Sequence, residues 1–357
     1  MDESSPPRPS LEQHDRRLVP QFILDQFARG ELDGRFPAAG LFFDLSGFTH
    51  LTESLMSHGT YGAEILASLV EAVFAPLVDT VFAHDGFVAS FHGDAFTALF
   101  PARDGDEPDA AWRAIACAWR MRERFAGLVT RQTPFGGFQL AAKIGVATGE
   151  AEWSILASES EGRAAYNFRG TAVTHCAHAE DQAAKNDIIL TPAMLRVVGE
   201  RVAVEVIGDY LRLNGLPAPL PDSTLPAVPR PSRQALGLFL PAAILDLSLR
   251  GEFRQVISLF INLEGAPHVV ELLGFAELCF ALQRRYGGFF HRIIFDDKGC
   301  NLQLFWGAPI NHEGDIARAL NFILDLRRRY RTAIRAGLTY RMAFAGFIGS
   351  PLYEEYS

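Results

Sequence analysis

Leu41-Phe42-Phe43-Asp44-Leu45-Ser46-Gly47-Phe48-Thr49 reads as a buried apolar strand that ends on a carboxylate and turns at Gly47 into a helix. The first amides of a helix lack intrahelical acceptors, so such a turn leaves N–H groups open beside Asp44. Further along, Phe91-His92-Gly93-Asp94-Ala95-Phe96 carries apolar residues on both sides of a polar His-Gly-Asp, the pattern of a hairpin with Asp94 at its tip. An aspartate after a strand often only caps the next helix, and a Gly-Asp pair often only makes a turn. Two carboxylates at adjacent strand ends beside open amides, however, suit a divalent cation and a polyphosphate.

Together and in this order the two segments resemble the class III nucleotidyl cyclases, whose metal-binding strand reads Phe-x-Asp-Ile/Leu-x-Gly-Phe-Thr and whose hairpin carries Gly-Asp. Ala142-Lys143-Ile144-Gly145-Val146-Ala147-Thr148-Gly149 is similar to the family strand whose basic residue faces the triphosphate. Tyr166-Asn167-Phe168-Arg169-Gly170-Thr171-Ala172-Val173 resembles the start of the family segment Tyr-x-x-x-Gly-x-x-Val-Asn-x-Ala-Ala-Arg. The catalytic Asn of that segment falls on Thr174 and its Arg on His178, so this copy lacks the groups that orient the ribose and stabilise the reacting phosphate.

A second copy follows. Val19 to Leu32 aligns without a gap on Leu240 to Phe253, with seven of fourteen positions identical: Pro, Ile, Leu, Asp, Arg, Gly and Glu. Val256 to Gly265 then repeats the apolar strand, with Asn262 in place of Asp44. An amide is a poor ligand for a hard cation, so the second copy is expected to have lost metal binding. Lys298 to Gly307 supplies its hairpin strand, and Ile334-Arg335-Ala336-Gly337 matches the Lys143 segment. Phe295-Asp296-Asp297-Lys298-Gly299-Cys300 resembles the Phe-Asp-Lys-Gly-Cys run of the soluble, bicarbonate-stimulated adenylyl cyclases, which pair one metal-competent domain with one degenerate domain.

The resemblance implies an α+β fold: two tandem ferredoxin-like, palm-type cyclase domains packed as a pseudo-heterodimer, each an antiparallel sheet with helices on one face. The expected organisation is an N-terminal helical segment (1–35), a metal-competent domain (36–212), a proline-rich linker (213–235) and a degenerate second domain (236–357), C-terminally incomplete, so that this chain alone is weakly active or inactive. The implied reaction is conversion of ATP to cyclic AMP and pyrophosphate by attack of the ribose 3′-hydroxyl on the α-phosphate. Asp44, Asp94 and the Leu45 carbonyl would hold two Mg²⁺ or Mn²⁺ ions. Gly47, Phe48, Thr49 and Lys143 would bind the phosphates. The family's base-selecting lysine falls on Arg292, and Ser357 lies at the position that contacts the base. ATP is the expected substrate and GTP the competitor; a guanylate cyclase, or a silent pseudo-cyclase serving as a nucleotide-binding regulatory module, is the alternative. Large cyclases of this kind carry a C-terminal ATPase or regulatory region, but no Gly-x-x-x-x-Gly-Lys-Ser/Thr pattern occurs in these residues.

Composition restricts the other classes. With 357 residues, 48% of them apolar, the chain can bury two cores. A net charge of −9 argues against a nucleic-acid polymer as partner. The acidic start lacks a signal-peptide pattern, and no apolar run approaches the ~20 residues that span a bilayer, so no membrane partner and a cytoplasmic location are expected. The four cysteines and ten histidines show no metal-ligand spacing.

Overall fold

The computed structural model describes residues 16–126, 130–216, 220, 224–263, 268–296 and 299–357. The chain runs α1 (Gln21–Ala28), β1 (Asp33–Ser46), α2 (Phe48–Met56), α3 (Gly59–Ala83), β2 (Phe87–His92), β3 (Ala95–Pro101), α4 (Glu107–Ala126), β4 (Thr130–Thr133) and β5 (Gly136–Gln139). It continues through β6 (Ala141–Ser158), β7 (Arg163–Arg169), α5 (Thr171–Glu180), β8 (Ile188–Leu190), α6 (Pro192–Val198), β9 (Ala203–Ile207) and β10 (Tyr210–Gly215). The second half holds α7 (Arg233–Phe239), α8 (Ala242–Leu245), β11 (Gly251–Leu263), α9 (Val269–Tyr286), β12 (Phe289–Asp296), β13 (Gly299–Trp306), α10 (Asp315–Arg329), β14 (Ile334–Ser350) and β15 (Tyr353–Tyr356).

Strand alternation builds the first sheet. Leu41, Phe43 and Leu45 are buried among helices α3 and α4, which leaves Phe42 and Asp44 on the opposite face. The strand order is β2-β3-β1-β6-β8-β10-β9, with β7 also paired to β6, and every pairing is antiparallel except β6 with β8. The second sheet, β12-β13-β11-β14-β15, repeats the path β2-β3-β1-β6-β7. The repeat seen in sequence is therefore a repeat of topology: Pro20 and Pro241 each precede a helix, and each helix leads into a central strand. At the junction between the domains, β10 ends at Gly215, and Ser232 caps α7 by accepting a hydrogen bond from the Ala235 amide.

The two domains interlock through their cores. Tyr353 and Ile348 from the second domain pack in the first core, and Leu156 and Ala165 from the first pack in the second. Phe91 and Tyr353 stack with ring centroids 6.1 Å apart, and Arg250 pairs with Glu71 on α3.

Two expectations need correction. Helices do not lie on one face only: α5 packs on the other face of the first sheet, directly over Gly40 and Gly145, where the missing side chains allow backbone-to-backbone approach. An apolar segment of membrane-spanning length also exists. Helix α3 has 25 residues and a mean hydropathy of 1.9 over its most apolar window. Leu66, Val70, Val73, Phe74 and Leu77 on that helix belong to the first core, so its apolarity is used in packing.

Candidate active site

In the antiparallel ladder Asp44 stands opposite Ala95 on one side and Lys143 on the other. Directly paired residues share a face, so the carboxylate and the ammonium lie side by side. Asp94 precedes Ala95 in the two-residue turn Gly93-Asp94, which places the second carboxyl at the same end of the neighbouring strand. Burial raises the carboxyls of both Asp44 and Asp94 above their ordinary range. The Lys143 charge and a hydrogen bond from the Leu45 amide oppose the rise at Asp44, while the charge of Asp44 adds to the rise at Asp94. Two half-buried carboxyls that repel one another form a place where a cation gains energy.

Gly47 closes β1 with a φ of 94°, a conformation that favours glycine, and begins α2 without a side-chain cap. Phe48 and Thr49 are thus the first residues of an uncapped helix end immediately after the Asp44 strand. Among the described residues no group of three or more His, Cys, Asp or Glu side chains is placed to hold a metal ion. A two-carboxylate set with one carbonyl still fits Mg²⁺ or Mn²⁺, which commonly keep water and share substrate phosphates.

Sequence reasoning missed Glu180. This residue ends α5, is only 7% exposed, and places Oε1 3.3 Å from Lys143 Nζ. Burial raises its carboxyl, the nearby Asp44 charge adds to that, and Lys143 opposes both. Glu180 was illegible because its position depends on the close approach of α5 to Gly145, a contact no local pattern reports.

The second copy holds different residues at the matched register positions. Asn262 pairs with Arg335 and Asn301, and Leu263 with Cys300. By register Asn262 replaces Asp44, Arg335 replaces Lys143 and Cys300 takes the place of Asp94. Asn262 Nδ2 donates to Asn301 Oδ1 at 2.9 Å, so an amide pair occupies this end of the sheet.

The residues assigned to the base form a separate group. Arg292 pairs with Gln303 as Ser90 pairs with Thr97, which makes Arg292 the counterpart of Ser90. Arg292 Nη2 donates to Ser357 Oγ at 3.4 Å, and its side chain is 10% exposed beside an interdomain cavity of about 80 Å³. His92 connects the two groups: it lies two residues before Asp94 and feels the Arg292 charge.

Burial, assisted by Arg292, pushes His92 down to about 3 and takes His291 well below its ordinary range. His92 Nε2 lies 2.9 Å from Ser90 Oγ and 3.2 Å from Thr97 Oγ1, partners suited to a neutral ring. The unfolded histidine takes up a proton near pH 6.5, whereas the folded one resists until about pH 3. Stability is therefore full above pH 6.5 and declines as pH falls toward 3, by at most about 1.4 kcal/mol per pH unit per histidine. Thermal melts between pH 7 and 5 should show a steeper loss for the native protein than for His92→Asn; parallel curves would contradict this.

No family model matches the chain. Its sequence is 25% identical over 382 residues to adenylate cyclase type 10 of Oryctolagus cuniculus, an alignment covering 90% of this chain and 23% of that protein. The Homo sapiens protein of the same name is 23% identical over 380 residues, with the same two coverages. The chain is homologous to adenylate cyclase type 10 along 90% of its length. It spans about a quarter of the length of those curated relatives. A solved class III adenylyl cyclase-like ATP-binding protein from Pseudomonas aeruginosa matches this chain's fold with a TM-score of 0.58 at 12% identity, over 91% of this chain and 79% of that one.

Proposed function

We propose that the chain is the catalytic region of an adenylate cyclase, converting ATP to cyclic AMP and pyrophosphate at one site. The observation that carries this reading is the asymmetry at matched registers: Asp44, Asp94 and Lys143 in one sheet against Asn262, Cys300 and Arg335 in the other. Asp44, Asp94 and the Leu45 carbonyl would hold two Mg²⁺ or Mn²⁺ ions. Bound there, the ions supply Lewis acidity for the ribose 3′-hydroxyl and neutralise phosphate charge. The open amides of Gly47, Phe48 and Thr49 bind the β- and γ-phosphates. Lys143, kept on the Asp44 face by Glu180, adds positive charge at the triphosphate. Arg292 and Ser357 hold the base. A cytoplasmic location belongs to this reading.

A second reading, a nucleotide-binding module without turnover, has specific support. Glu180 already offsets the Lys143 charge, and Thr174 and His178 stand where the reaction's amide and guanidinium donors would be expected. The Pseudomonas aeruginosa relative is described as an ATP-binding protein.

Thermal shift with ATP or GTP, with and without Mn²⁺, combined with product measurement, separates the readings. Cation-dependent stabilisation by ATP with cyclic AMP formed faster than cyclic GMP is the expected result. Stabilisation without product would favour the second reading, and no nucleotide response would reject both.

A further inference from the structure

The Arg292 guanidinium is only partly used. Its Nη2 is 2.7 Å from Glu355 Oε1, is hydrogen-bonded to His291 Nε2 and donates weakly to Ser357, whereas buried Nε and Nη1 have no hydrogen-bond partner. A buried guanidinium with two idle donors is costly unless a ligand accepts from them.

Glu355 holds that guanidinium from a position shared by both domains. Its Oε2 accepts from the Phe91 amide of edge strand β2 at 3.3 Å and from Tyr353 Oη at 3.3 Å. Tyr353 Oη is in turn 3.3 Å from Tyr166 Oη on β7. One carboxylate therefore ties Arg292 of the second domain to two strands of the first. The Arg292–Glu355 contact is an ion pair without a hydrogen bond along it, since Oε1 has none. The charge anchors the head group of a side chain that lines the interdomain cavity.

We propose that Glu355 is a positioning residue for nucleobase recognition: it fixes the Arg292 guanidinium against the first domain so that Nε and Nη1 face the base. This rests on the nucleotide-binding reading above and deepens it. Without the anchor, the long Arg292 side chain can rotate among rotamers, and the base loses a prepaid partner. The phosphate-binding residues belong to the start of α2 and to β6 of the first domain, apart from Arg292 on β12.

The test compares ATP with ribose 5-triphosphate, which lacks the base, using Mn²⁺-dependent binding to the full chain. Glu355→Gln keeps the shape and the Phe91 bond but removes the charge. It should weaken ATP about tenfold, as expected for losing a charge-assisted, oriented donor, and leave ribose 5-triphosphate within about twofold. Arg292→Ala should give the same pattern, and Glu355→Asp should recover part of the ATP affinity. Equal weakening of both ligands would mean that Glu355 only supports the fold. An unchanged ATP preference in Glu355→Gln would also overturn the proposal. Failure of the native chain to bind either ligand would instead reject the nucleotide reading itself.

Discussion

Asp44→Asn and Asp94→Asn should each remove cation-dependent nucleotide binding and lower any cyclase turnover by about two to three orders of magnitude or more, the scale seen when one group stabilising transition-state charge is lost. Asn262→Ala should leave both properties unchanged, because an amide, not a carboxylate, stands at the register position of Asp44 in the second sheet. The same aspartate variants should be more stable than the native protein when no divalent cation is present. Burial raises both carboxyls above the value of 3.8 expected in the unfolded chain, so the folded state binds protons more readily. The sign then follows: ionising these groups costs folding energy, and stability falls as pH rises from about 4 through their folded range. At neutral pH in chelator, Asp44→Asn should therefore melt higher than native, and at pH 4 the difference should shrink. Addition of Mn²⁺ with ATP should reverse the order. A variant that melts lower than native in chelator at pH 7 would show that the carboxylates support the fold instead of being held against a cost.

The parts of this site legible from sequence are those fixed by local rules. The apolar run from Leu41 put Asp44 at the end of a strand, and the His-Gly-Asp turn put Asp94 at the end of its hairpin. The second copy was legible for the same reason, since Asn262 and Arg335 meet in the register that Asp44 and Lys143 occupy. Glu180 and Glu355 were not. Their roles arise from contacts spanning 37 residues, to Lys143, and 264 residues, to Phe91, and one of two adjacent acidic residues on a helix end or a short strand carries no sign of either. Helix α3 misled in another way: its three acids, Glu64, Glu71 and Asp79, interrupt the apolar run in sequence, yet the folded helix averages apolar enough to span a bilayer.

The glycines under α5 set the largest stability effect. A Cβ on Gly145 would lie 2.0 Å from the Cys176 carbonyl oxygen and 2.3 Å from the Glu180 amide nitrogen, both backbone atoms that cannot turn aside. Gly145→Ala must therefore lift α5 off the sheet, and overpacking of this kind costs about 1–3 kcal/mol, occasionally more. Gly337 holds the same register place in the second sheet, opposite Phe260 as Gly145 is opposite Phe42, but a Cβ there meets nothing within 4 Å. Gly337→Ala should accordingly stay within about 0.5 kcal/mol of native. Because Glu180 ends the displaced helix, Gly145→Ala should also free Lys143 from its 3.3 Å ion pair. Chemical denaturation of the two variants reads the first effect, and the Lys143 ammonium resonance reads the second. Equal stability of the two alanine variants would show that α5 does not rest on this strand as closely as the backbone contacts require.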